Sequence, residues 1–150
     1  MLAHMPLVLL LLALALTPVS PGLVARPFDP PPQPWLAGHR GVDLTATAGA
    51  PVRAPRDGAV VFARVVAGRG VITLAHPDGL RTTYEPVTAS VAVGDAVRAG
   101  ETLGALDAGH PGCPVDACLH WGLRRGDVYL DPMTLLGRGR VRLLPLREAA

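Results

Sequence analysis

The chain has 150 residues and a formal net charge of +2. That length fits a single domain, and so small a charge gives no case for a nucleic-acid partner. All 14 basic residues are arginine, so chemistry that needs a lysine amine is excluded.

The first element is "PLVLLLLALALTPV", Pro6 to Val19. It is shorter than the roughly 20 residues a membrane helix needs, so no stable membrane span is expected. Its length suits the apolar core of a signal peptide, with Pro18, Ser20 and Gly22 behind it. Residues 1–25 are therefore read as a secretion signal, cleaved after Ser20 or after Ala25. The front end, Met1 to Met5, offers only His4 as a cation. A secreted, extracytoplasmic location at the cell envelope follows.

"RPFDPPPQPW", Arg26 to Trp35, holds five prolines in ten residues. Proline fixes its own φ and drives its predecessor toward extended geometry. Residues 26–35 read as a stiff linker or arm outside the core. The folded domain is expected over 36–137, roughly 100 residues and enough for a modest core.

From Gly41 onward, short apolar runs alternate with glycine-rich breaks. "AVVFARV", "VITLAH", "LRTTYEPV", "VAVGDAVRAGETLGAL", "CLHWGL" and "VYLDP" read as strands, and no stretch keeps a helical period over three turns. The fold class is all-β: a small antiparallel, sandwich-like sheet structure. A helical turn is expected at Pro132 to Leu136, with proline at an early helical position. Residues 138–150 form a basic tail with Arg138, Arg140, Arg142 and Arg147, most simply a solvated end, otherwise a contact for anionic envelope polymers.

Two short patterns carry chemistry. His39 and Asp43 form HxxxD, and His120 ends CxH. In an extended chain even separations share a face, so each pattern points its members one way. Two imidazoles and a carboxylate, with one coordination position left for water, suit a catalytic zinc. Cys113 and Cys118 form a close pair that favours a disulfide behind a secretion signal. The alternative is a Cys118 thiolate as a fourth ligand, closing the site. His76 ends a strand at a turn and reads as structural. Trp121 alternates away from His120 and reads as packing. Tyr84 is placed along the cleft, with packing as the other reading.

"HRGVDLTATAGAPVRAPRDGAVVFA" resembles the opening of the lysostaphin-type, LytM-like zinc metallopeptidases, with their His-x-x-x-Asp pair, Gly-x-Pro-Val and Asp-Gly. "GLRTTYEPVTASVAVGDAVRAGETLGAL" and "CLHWGLRRGDVYLDPMTLL" resemble the sections that follow, so the likeness runs over residues 36 to 136 in order. It implies a duplicated-hybrid-motif-like domain, one zinc ion, and His39, Asp43 and His120 as its ligands. It also implies an enzyme that cuts peptide cross-links in peptidoglycan; a monomer is expected. The family's two further histidines, thought to hold the attacking water and stabilise the charged intermediate, fall on Pro86 and Cys118 here. His110 and Glu85 are the candidate substitutes, although alternation points Glu85 to the opposite face unless a bulge intervenes. The loss leaves a second expectation, a catalytically degenerate homologue that binds wall or regulates other hydrolases. The "VAVGDAVRAGETLGAL" hairpin also looks like biotinyl and lipoyl carriers, but those need a lysine.

Overall fold

The structure is a computed structural model and describes residues 17–137. The apolar run up to residue 16 and the arginine-rich tail from residue 138 lie outside the described residues. Eleven strands follow one another: β1 (Pro21–Arg26), β2 (Val42–Ala46), β3 (Pro51–Arg53), β4 (Gly58–Val66), β5 (Arg69–Ala75), β6 (Leu80–Glu85), β7 (Val87–Ala89), β8 (Ala96–Val97), β9 (Thr102–Leu106), β10 (Ala117–Arg125) and β11 (Val128–Leu130). A 3-10 helix, Pro132–Leu136, closes the described chain.

The strands make two antiparallel sheets. The larger runs β1-β2-β10-β6-β5-β4-β8, with β11 also paired to β10; the smaller runs β3-β9-β7. Alternation explains which residues meet between them. Val42, Leu44 and Ala46 of β2 and Ala117, Leu119 and Trp121 of β10 belong to the buried core. Val52, Val87, Leu103 and Leu106 of the small sheet join the same core. Burying each such side chain contributes about 1.5–3 kcal/mol. The intervening residues of β2 and β10, Asp43, Cys118 and His120, point to the other face. One layer thus carries the core on its inner face and the chemistry-bearing residues on its outer one.

The helical turn forms where the sequence places it. Asp131 caps it by accepting from the Met133 N–H at 3.0 Å, and Gly137 ends it at φ 70°. Proline at the first position costs nothing there, because that N–H has no partner within the helix anyway.

The N-terminal stretch differs from a free arm. β1 pairs with β2 as an edge strand, so Arg26 lies in the sheet. Asp29 and His39 exchange backbone hydrogen bonds at 3.0 and 2.7 Å. Arg40 Nη2 donates to the Pro34 carbonyl at 2.6 Å. Prolines cannot donate, but their carbonyls accept freely, and here they hold the arm on the domain. Of the two cleavage points, the one after Ser20 leaves β1 whole and the one after Ala25 removes it.

Candidate metal centre

Asp43 sits mid-strand on β2 and His120 directly opposite it on β10. Directly paired residues of antiparallel strands share a face. His39 precedes β2, and its backbone is clamped by Asp29. Between His39 and Asp43 the chain passes Gly41 hard against β10. A Cβ on Gly41 would lie 2.6 Å from the Trp121 carbonyl and 2.8 Å from His120 Nε2. Only glycine allows that approach. Gly41→Ala is therefore expected to push His120 aside and weaken metal binding by about 10–100-fold, the usual effect of disturbing a ligand's support. Competition with a chelating dye measures it.

One oxygen of Asp43 gathers three imidazoles. His39 Nε2 lies 3.1 Å from Oδ1, His120 Nδ1 2.9 Å and His110 Nε2 3.1 Å. His39 and Asp43 are buried, at 5% and 2% exposure. Burial by itself raises the Asp43 carboxyl pKa. The His120 hydrogen bond outweighs this, together with the charges of His110, His39 and His120, and leaves the group below its ordinary value.

The hydrogen-bond pattern fits a cation. His39 Nδ1 lies 2.8 Å from the Pro27 carbonyl. That carbonyl only accepts, so Nδ1 carries the hydrogen and Nε2 is left with its lone pair. The lone pair faces a carboxylate oxygen, another acceptor. A positive ion between them satisfies both, as does a second proton on the ring. A single carboxylate oxygen has about two lone pairs, too few for three ring N–H donors. The donor atoms of His39, Asp43 and His120 all lie within 4.8 Å of one another, a spacing a metal ion can hold. Two nitrogens and one oxygen suit zinc, and the Pro27 carbonyl supplies the outer hydrogen bond that metal-binding histidines ordinarily make.

The model of Peptidase family M23 matches residues 37–132. The chain belongs to peptidase family M23. M23 peptidases are zinc-dependent and act on peptidoglycan. An uncharacterized protein of Mycobacterium tuberculosis is 52% identical over 130 residues, covering 84% of this chain and 52% of that protein. The DD-carboxypeptidase/endopeptidase Mpg of Neisseria gonorrhoeae is 31% identical over 98 residues, 65% of this chain and 22% of Mpg. The chain thus spans about half the length of the first of these relatives, or less of the second. Among solved structures, the catalytic domain of lysostaphin from Staphylococcus simulans superposes with a TM-score of 0.65 at 28% identity, over 77% of this chain and 92% of that one. The M23 resemblance read from the sequence and the all-β fold both stand.

Within this M23 domain the favoured disulfide forms and His76 is structural as read, while Glu85 and Tyr84 lie elsewhere than the sequence suggested. Cys113 and Cys118 are joined in a disulfide. Cys118 is therefore neither a thiolate ligand nor a free thiol. Glu85 pairs with His120 across β6 and β10, on the same face as the centre rather than the opposite one. Its carboxylate is held by Arg69, with Nε to Oε2 at 2.7 Å. Tyr84 pairs with Trp121, is fully buried, and meets Thr82 Oγ1 at 2.7 Å. It does not line the cleft. Burial raises its phenol pKa far above the ordinary value, while Thr82 and the nearby Trp121 indole pull it partly back. His76 is a satisfied core residue, with Nδ1 at 2.7 Å from the Asp57 carbonyl and Nε2 at 2.8 Å from Thr82 Oγ1. The Pro27 carbonyl, which accepts from His39 Nδ1, was not legible in the sequence, where the arm's prolines marked stiffness, not contact.

Proposed function

We propose that this chain is a secreted, monomeric zinc metalloendopeptidase that cuts peptide cross-links in peptidoglycan. The convergence of His39, Asp43 and His120 on one sheet face carries the reading. His39 Nε2, the Asp43 carboxylate and His120 Nδ1 would hold a single zinc ion. Zinc at such a site polarises a carbonyl and makes water a nucleophile near neutral pH. The residues themselves do the holding: Pro27 fixes the His39 tautomer, Asp43 balances the imidazoles, and paired strands keep Asp43 and His120 in register. Ligands on strands are held more rigidly than ligands on loops. The apolar leader in the sequence supports export to the wall.

Purified peptidoglycan incubated with the zinc-loaded chain is expected to release new amino termini. Release should stop with a chelator and return when zinc is restored. A wall left intact in the presence of zinc discards the reading.

One observation favours a second reading. The two positions that hold histidine in the resembling family are Pro86 and a disulfide-bonded Cys118. A donor aimed at developing charge is worth about 2.7–4 kcal/mol, so losing two weakens the usual plan. On this reading the protein binds wall or regulates other hydrolases. It then co-sediments with peptidoglycan and frees no amino termini.

A further inference from the structure

His110 is absent from both strands that build the centre, yet its Nε2 stands 3.1 Å from Asp43 Oδ1. Its ring lies 5.7 Å from that of His120, centroid to centroid. The mutually close donor set comprises His39, Asp43 and His120; His110 meets it through Asp43. The contact places the His110 imidazole beside the anionic carboxylate.

The loop between β9 and β10 accounts for that placement. It is tied at its start, where the Asp107 N–H donates to the Pro86 carbonyl at 2.9 Å and Thr88 Oγ1 donates to the Asp107 carboxylate at 2.8 Å. Its end is tied as well, where Asp116 Oδ2 accepts from the Ala48 N–H at 3.1 Å. Both acids are thereby anchors rather than members of the centre. Between them, Gly109 and Gly112 take φ of 98° and 77° and turn the chain sharply. The Cys113–Cys118 bond then fastens the turn to β10, two residues from His120. The Cys113 N–H also donates to the His110 carbonyl at 3.3 Å. A disulfide over such a short loop acts by restricting where the loop can go.

We propose that the Cys113–Cys118 disulfide is a clasp that positions His110 at the metal centre, and that the His110 imidazole is the hydrogen-bond donor this chain uses there in place of donors at positions 86 and 118. The donor role rests on the peptidase reading; the positioning role does not. Cys118 thus has a use that excludes histidine at the same place: it carries the clasp, and the imidazole arrives on the loop.

The test uses the full chain loaded with cobalt(II) or zinc. In the oxidised cobalt protein, ring protons of His110, assigned by their loss in His110→Ala, are expected among the paramagnetically shifted resonances. After dithiol reduction of the disulfide, or in Cys113→Ala/Cys118→Ala, they should move back to unshifted positions while cobalt stays bound. Unshifted His110 signals in the oxidised chain overturn the proposal, as does indifference to reduction. On a cross-linked wall peptide, His110→Ala should lower kcat about 100-fold or more with KM nearly unchanged, the effect of deleting one such donor. His110→Gln, which keeps an N–H, should recover part of the loss. Adding the cysteine changes to His110→Ala should cost little further, because both act through one group. A full kcat in His110→Ala, with wild type active, overturns the donor role. If wild type cleaves nothing, the peptidase reading and the donor role fall together, and the cobalt spectra decide the clasp on their own.

Discussion

Replacing Asp43 with alanine is expected to abolish both tight zinc binding and zinc-dependent release of amino termini from peptidoglycan. Asp43 Oδ1 is the atom on which His39, His110 and His120 converge, at 3.1, 3.1 and 2.9 Å. It is also the one carboxylate of the three-donor set. Without it, a divalent ion at this buried spot meets neutral imidazoles alone. Disturbing an outer partner of a ligand already costs about 10–100-fold in affinity. Removing the charged ligand itself should exceed about 100-fold, or about 2.7 kcal/mol at 1.36 kcal/mol per tenfold. Titration against a chelating dye, with metal content after dialysis, reads the affinity directly. Asp43→Asn separates charge from shape, since the amide fills the same space with no net charge. If either variant kept wild-type zinc affinity, the ion would have to sit elsewhere. Asp43→Ala should leave the fold in place, because the residue lies on the outer face of β2 and its neighbours Val42 and Leu44 form the core.

The sequence made much of this centre legible, for a physical reason. Strand alternation is local, so the inward and outward residues of β2 and β10 can be read from spacing. Pairing is not local. Nothing in "TYEPV" says that Tyr84 faces Trp121 while Glu85 faces His120; that follows from the register of β6 on β10. Tyr84 shares parity with position 86, which holds histidine in the resembling family, so spacing alone puts it toward the cleft. The arm was opaque for a related reason. A run of prolines predicts stiffness, but what its carbonyls accept depends on a strand that lies next to it only after folding. Hence Pro27, which fixes the His39 tautomer, could not be found in advance. The loop histidine lay between these cases. "DAGHPGCP" showed an imidazole near a cysteine, and the disulfide turns that nearness into a position.

The centre also depends on what lies beneath it, which makes Trp121→Ala the strongest structural test. Trp121 is fully buried, in the core cluster with Leu44, Leu119 and Tyr84. It follows His120 on β10, and its carbonyl lies against Gly41. Truncating a buried tryptophan costs about 3–5 kcal/mol. A domain of this size holds only about 5–15 kcal/mol in all. The melting midpoint should fall by at least about 12 °C, at about 4–8 °C per kcal/mol. Trp121→Phe should be milder. The indole nitrogen has no partner in good hydrogen-bond geometry, so volume is the main loss. Zinc should rescue part of the loss in both variants, since an ion that binds only the folded chain stabilises it. Combined with Asp43→Ala, that rescue should vanish. A Trp121→Ala protein as stable as wild type would mean that the sheet's inner face does not carry the centre above it. Rescue persisting without Asp43 would separate the ion from this site.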